Sequence, residues 1–551
     1  MNAILRRELL AVLRTRKALA LQLGVALGCA LLVLLRWPTG DVIDLSGARS
    51  MQVLRIVGYG LLTAVILLVP AFPATAIVRE KVQGTLALLF NTPLSPLSIY
   101  AGKLAGVLGF TATLLVMTIP AAAACYALGG SGSEGGILEI YGVLGVAVVQ
   151  FATLALLVSS RASSSDAALR ITYALVLAVC VLTLAPHALL QGGTDVLAVL
   201  AGWLRCLSPI PAVMEALGQG DVGSHGMSAA GGAIGRYLIL ASLMSVACTA
   251  MTIAGLNHRL FDRARPPGVM TEDRSTSGRI LRRLIFLLDP QRRSGGMSVW
   301  VNPVMVKEFR TRRFGRSHWT LRLIALSAIL SLALSYVAAS GMLSWGIEVI
   351  GGLLVLFQVT LLIVFAPSLG SSLVSAERES GSWQLLRMTP LSAGAILRGK
   401  LMSVVLPLLL VLCATLPGYV VIIVTKPELI PQVERVIVCL GLTAVFAVLL
   451  AAAASTLFRA TATATVASYL ALVAICVGPL LVWLAREAPF GHETVQTVLM
   501  FDPVAAALQA FETPGFTHYE LLPVSWWLTS AACVALFGVL IVRMWNLTRP
   551  E

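Results

Sequence analysis

Long apolar runs alternate along the chain with short polar, mostly basic stretches. A helix crossing a hydrocarbon core about 30 Å thick needs roughly 20 apolar residues. Runs of that kind fall near 18–35, 54–78, 104–128, 137–159, 169–190 and 232–256, and again near 321–343, 349–375, 401–424, 435–457, 462–485 and 523–542. The pattern predicts an all-α polytopic membrane protein of about twelve transmembrane helices. The first run follows Arg6, Arg7, Arg14, Arg16 and Lys17 and is closed by Arg36-Trp37-Pro38. No small-residue cleavage site follows it, so it reads as a retained helix rather than a signal peptide.

Composition excludes the soluble alternatives. Of the 551 residues, 58% are hydrophobic and 12% charged, and the mean hydropathy is +0.89. A soluble domain carries about 25% charged residues. The nine cysteines include no CxxC pair, and most lie in apolar runs, where cysteine behaves as a small hydrophobe. The net charge of +14 suggests nucleic acid only until the charges are placed. With the N-terminus in the cytoplasm, 32 of the 40 Lys and Arg residues fall on the cytoplasmic side and 8 on the other. This is the ordinary positive-inside bias. It predicts a multi-pass protein of the cell membrane with both termini cytoplasmic and no nucleic-acid partner.

The chain also reads twice. Residues 70–104 align without gaps on 367–401 at an offset of 297, with 13 identities in 35 positions. The shared residues include Pro70/Pro367, Glu80/Glu377, Gly84/Gly381, Gly102/Gly399, Lys103/Lys400 and the intact block Thr92-Pro93-Leu94-Ser95 with Thr389-Pro390-Leu391-Ser392. Two unrelated apolar stretches would match leucine and alanine, not Glu, Gly, Pro and Lys in register. The N-terminal segments correspond at an offset of 300 through Asn2/Asn302, Arg7/Lys307 and Glu8/Glu308, and Ser208-Pro209 echoes Asp502-Pro503. These echoes predict a six-helix unit over 1–257, a linker over 258–300, and a second six-helix unit over 301–551. Six is even, so the repeats would be parallel, related by an axis along the membrane normal. The linker carries nine arginines against four acids. Its stretch 277–288 is basic and amphipathic, the pattern of a helix lying on an anionic leaflet.

Two repeated segments carry the candidate mechanism. Over 79–99 and 376–396 a charged stop is followed by a glycine, a leucine-rich turn and the TPLS block. Proline disfavours helix in the residue before it, so Thr92 and Thr389 should end one short helix. Ser95 and Ser392 suit the N-cap of the next. The segments 2–17 and 302–316 read as amphipathic entry helices on the membrane surface, with Asn302-Pro303 supplying a cap and a first-turn proline. Charge bias accounts for their basic residues but not for the matched acids Glu8 and Glu308.

Together, the pattern NPxxxKExR, two spans, then E-x3-G-[TS]-x-x-L-L-x-x-TPLS-x3-I-x-x-GK resembles the permease subunits of type-2 ABC exporters, the six-helix fold also called type V, with two units fused in one chain. The resemblance implies a permease component of an ATP-binding-cassette exporter, not itself an enzyme. It implies a separate ATPase partner, in two copies, that brings the ATP and Mg. It also implies coupling interfaces at Glu80, Gly84, Thr92, Pro93 and Ser95, and at Glu377, Gly381, Thr389, Pro390 and Ser392. Arg7, Glu8, Lys307 and Glu308 would lie in the entry helices. The first copy departs by carrying Val82 where the second has Glu379.

The chain's nearest approach to a phosphate-binding loop, Gly394–Leu401, ends in leucine where a magnesium-binding hydroxyl is needed. An ion-coupled secondary transporter would need ionisable groups in mid-membrane, where Gln150 and Gln358 are the clearest polar residues. The histidines are too scattered to argue a metal site, so no catalytic or metal residue is assigned. A secondary transporter and a non-transporting membrane scaffold remain as alternatives, and the sequence does not name a substrate.

Overall fold

The computed structural model describes residues 7, 16–34, 48–90, 95–127, 136–162, 164–184, 186–187, 196–218, 232–258, 302–311, 324–332, 347–484 and 491–548. Helices dominate, and no strand occurs among the described residues. The chain divides into two compact units, Met1–Ala264 with Leu481–Glu493, and Arg265–Leu480 with Thr494–Glu551. The first boundary falls inside the predicted linker, whose residues 259–300 lie outside the described set.

Nine helices among the described residues are long and apolar enough to cross a membrane. They are Leu54–Val82, Pro96–Ala124, Gly136–Arg161, Ala233–Leu256, Ile347–Glu379, Ala393–Thr425, Pro427–Leu457, Thr461–Trp483 and Val524–Thr548. Each coincides with one of the twelve runs predicted from sequence. The remaining three runs fare differently. The run near 18–35 forms a 19-residue helix, Arg16–Leu34. The run near 169–190 forms Ser165–Leu177, extended by one π turn at Ala178–Leu182. In the run near 321–343, only the helical residues 324–332 are described.

Local chemistry explains where these helices begin. Ser95 Oγ accepts the N–H of Ser98 at 3.2 Å, and Pro96 occupies the first helical position, where its missing N–H costs nothing. Ser392 Oγ accepts the N–H of Ala395 at 3.2 Å, and Ser164 Oγ that of Ala167 at 3.3 Å. Helix Ala393–Thr425 runs unbroken through Pro407 and Pro417, so these prolines are accommodated by packing.

Within each unit, a few buried hydroxyls patch irregular backbone at membrane depth. In the first, Ser159 Oγ accepts the N–H groups of both Ile77 and Val78 at 3.1 Å, and Tyr173 donates to the Leu67 carbonyl at 2.6 Å. In the second, Ser455 Oγ accepts Val374 and Ser375 at 2.7 and 3.0 Å, and Tyr469 donates to Val364 at 2.8 Å. Backbone groups left unpaired in lipid cost several kcal/mol, so a span interrupted near Pro70 or Pro367 needs such partners.

One expectation about the first unit is corrected. The twelve predicted runs leave residues 191–231 as a connection between two spans, outside the membrane. Instead, Val196–Arg205 and Pro209–Ala216 form an apolar bent pair with a 78° angle at the break, and Cys206 is buried. The break is deep. Gln150 Nε2 donates to the Leu207 carbonyl at 3.1 Å, and Gln150 stands about 21 Å along its helix from Gly136 and about 17 Å from Arg161. Ser208 Oγ donates to the Cys180 carbonyl at 3.0 Å and accepts the N–H of Ile210. The far end of the pair returns towards the ends of two spans. Arg55 donates to the carbonyls of Leu217 and Gly218 at 3.3 and 3.2 Å. Glu215 accepts the N–H groups of Gly232 and Ile234 at 2.8 and 2.9 Å. The pair is therefore re-entrant. Its short polar composition at Ser208-Pro209 looks like loop chemistry, but Gln150 and Cys180 satisfy it inside the protein.

Candidate functional site: two buried charge clusters

In the second unit the site is assembled from three elements. Asn302 caps the helix Pro303–Thr311, its Oδ1 accepting the N–H of Val304 at 2.9 Å, and its Nδ2 donating to the Ala395 carbonyl at 2.7 Å. The bond to Ala395 seats the entry helix on the start of Ala393–Thr425. The approach is so close that a Cβ on Gly399 would lie 2.6 Å from Asn302 Oδ1 and 2.9 Å from Val304 Cβ. The glycine of the repeated GK pair thus makes room for the entry helix, and the lysine beside it supplies charge.

Lys400 is 1% exposed. Its Nζ lies 2.8 Å from Glu377 Oε2 and 3.0 Å from Glu308 Oε1, and donates to the Leu373 carbonyl at 2.7 Å. Lys307 Nζ reaches Glu377 Oε1 at 2.6 Å. Two ammonium groups and two carboxylates balance. Desolvating an ion costs several kcal/mol, and close opposite charge with further hydrogen bonds offsets that cost. Here the charges come from an entry helix, the end of one span and the start of the next.

The first unit repeats the core of this arrangement. Glu80 Oε1 lies 2.9 Å from Lys103 Nζ and 2.8 Å from Arg7 Nη2, and Lys103 donates to the Ala76 carbonyl at 3.3 Å. Gly84 and Gly381 follow with φ of 73° and 75°, a left-handed conformation that other residues rarely adopt. The chain turns there before the short helices Thr85–Phe90 and Trp383–Arg387.

The sequence-derived site residues separate into two groups. Glu80 and Glu377 are buried among their cations and present no charge to a partner. Exposure falls instead on Leu88, Leu385, Met388, Thr389 and Pro390, with Met388 82% exposed. Thr389 closes the short helix by donating from Oγ1 to the Leu386 carbonyl at 2.6 Å. Arg7, Lys307 and Glu308 join the clusters. Glu8, Thr92 and Pro93 lie outside the described residues.

Lys103 and Lys400 appear in the repeat, yet their role as the hubs was not legible, because nothing in spacing says that a lysine at a span entrance turns inward. Glu379 was likewise only a mismatch with Val82. Its Oε2 accepts the N–H and hydroxyl of Thr461 at 2.8 and 2.7 Å, capping the helix Thr461–Cys476. Arg378 donates to the Thr456 carbonyl at 3.0 Å, and Trp383 Nε1 to that of Leu547 at 3.2 Å.

Compared with known proteins, the chain matches no family model, no curated relative and no solved structure. The fold therefore carries the conclusion: several long apolar helices make this an all-helical, multi-pass membrane protein, and each of its units bears a buried charge cluster on a repeated motif.

Proposed function

We propose that the chain is the permease component of an ATP-binding-cassette exporter, with two six-helix units fused in parallel and ATP hydrolysis supplied by a separate subunit. The observation that carries this reading is the duplicated cluster with its outward-facing short helix. In the second unit Lys400 joins the entry helix to two span ends, in the first Glu80 pairs with both Arg7 and Lys103, and in each the segment beyond turns outward at a left-handed glycine. A force applied to the exposed helix would reach both spans through charged contacts, not through a flexible loop. In this reading the segments 79–99 and 376–396 are cytoplasmic, two ATPase copies dock on them, and the twelve spans switch access to a substrate pathway. The alternating cycle draws on ATP and Mg held by the partner, while this chain positions the spans.

The test is purification from native membranes in mild detergent, with mass spectrometry of associated proteins. The expected result is a stoichiometric ATP-binding subunit that is lost when Leu88, Leu385 and Met388 are replaced together by Asp. These side chains are exposed, so their replacement leaves the buried clusters intact. A chain that purifies alone from cells holding intact ATPases would overturn the proposal.

A further inference from the structure

The re-entrant arm Val196–Arg205 has two unlike faces. Ala201 and Arg205 are buried, Arg205 with Nη1 2.8 Å from His187 Nε2. Val196, Leu197, Val199, Leu200, Trp203 and Leu204 are exposed, Leu200 at 59%. Their spacing (i, i+1, i+3, i+4, i+7, i+8) makes one continuous apolar stripe. In water such a stripe on a ten-residue helix would be a liability.

Depth decides what covers it. The arm ends at the break held by Gln150 and Cys180, well inside the span length. Ten residues of helix extend about 15 Å, so the arm cannot climb beyond the leaflet that it enters. That leaflet is the one remote from the first unit's charge cluster, because Ala168 packs on Val78 beside Glu80 and Cys180 stands roughly 20 Å along its helix from Ser165. The stripe is also continuous with a span surface. Trp203 lies under the Arg236 guanidinium at 5.3 Å, and the same span exposes Ile239, Leu243 and Val246.

The corresponding helix, which belongs to the second unit from Thr494 onward, is different. On His492–Leu499 the buried residues are Val495 and Leu499, and the exposed ones include Thr494 and Thr497. We infer that the Val196–Arg205 stripe contacts the acyl chains of phospholipids in the leaflet remote from the first unit's own charge cluster, and that its counterpart in the second unit faces water. The fold thus has one lipid-facing apolar arm and one solvated helix at the matching place. This inference needs only the multi-pass membrane fold, so it stands or falls independently of the transport proposal.

Photo-crosslinking tests it. Benzoyl-phenylalanine is placed at Leu200, at Ile239 as a span-surface control, and at Thr494, in the full chain reconstituted in phosphatidylethanolamine–phosphatidylglycerol vesicles. Lipid adducts are read by mass spectrometry after illumination. Adducts are expected at Leu200 and Ile239 and lost at Thr494. If the Leu200 variant fails to accumulate, Leu197 on the same stripe takes its place. A lipid adduct at Ile239 with none at Leu200 would overturn the inference, as would a Leu200 adduct to protein, which would show that the stripe is covered by another chain. Equal lipid adducts at Leu200 and Thr494 would overturn the asymmetry.

Discussion

The two units use one motif under different restraint. In the first, Glu80 meets Lys103 and Arg7, and the following Val82 lies exposed. In the second, Glu377 meets Lys400 and Lys307, Lys400 also meets Glu308, and Glu379, Arg378 and Trp383 tie the same segment to three other places in the unit. The seats of Leu217 and Phe511 against their neighbouring spans differ in the same sense. A Cβ on Gly58 would meet the flexible end of Leu217 at 3.0 Å, whereas one on Gly351 would collide with the Phe511 ring at 1.8 Å. The lesson is that duplication preserves the charged core, where a mismatch would strand a buried ion, and lets the fastening around it diverge.

The sharpest way to break this comparison is at the hubs. Lys400→Met should lower stability by roughly 3–5 kcal/mol, the cost of stranding a buried carboxylate. Lys103→Met should cost less, because Lys400 serves two carboxylates of the entry-helix cluster. Thermal unfolding of each variant in one detergent would rank them, and the reverse ranking would contradict the account of the second cluster as the more interdependent.

Next in size are the close approaches at Gly351 and Gly58. Gly351→Ala should cost about 1–3 kcal/mol or more through overpacking against a fully buried ring, while Gly58→Ala should be mild, since the end of a leucine side chain can give way. Denaturation midpoints read this difference directly.

The serine patches should behave alike in both units. Ser159→Ala and Ser455→Ala each remove an acceptor shared by two buried N–H groups, at about 1–3 kcal/mol in all. Hydrogen exchange at Ile77, Val78, Val374 and Ser375 should accelerate in the matching variant only.

The smallest expected effect concerns the divergent position. Glu379→Ala should cost about 1 kcal/mol through the lost helix cap, whereas Val82→Ala, at an exposed site, should stay within roughly 0.5 kcal/mol. Equal losses at the two positions would remove the difference in restraint.

Much of this was legible in the chain itself. Hydrophobic runs located nine helices of spanning length, because apolar length reports directly on transfer from water to lipid. The register of Glu, Gly and Lys at one offset located the repeated segment, and the capping roles of Ser95, Ser392 and Asn302 followed from local chemistry. The buried placement of Glu80 and Glu377 was not legible. A charged residue at a span end reads equally as a solvated stop or as a paired ion, and its partners lie 23 to 73 residues away in sequence.

By itself, then, the sequence determined that the protein is helical, that it is membrane-embedded and that one motif occurs twice, since all three depend on composition, period and register. The tertiary structure decided which charges neutralise one another, and that Ser208-Pro209 turns inside the membrane rather than outside it. Depth and ion pairing are relations between distant segments. Gln150 fixes the depth of Leu207, and Lys400 fixes the burial of Glu377 and Glu308, only once packing has brought them together.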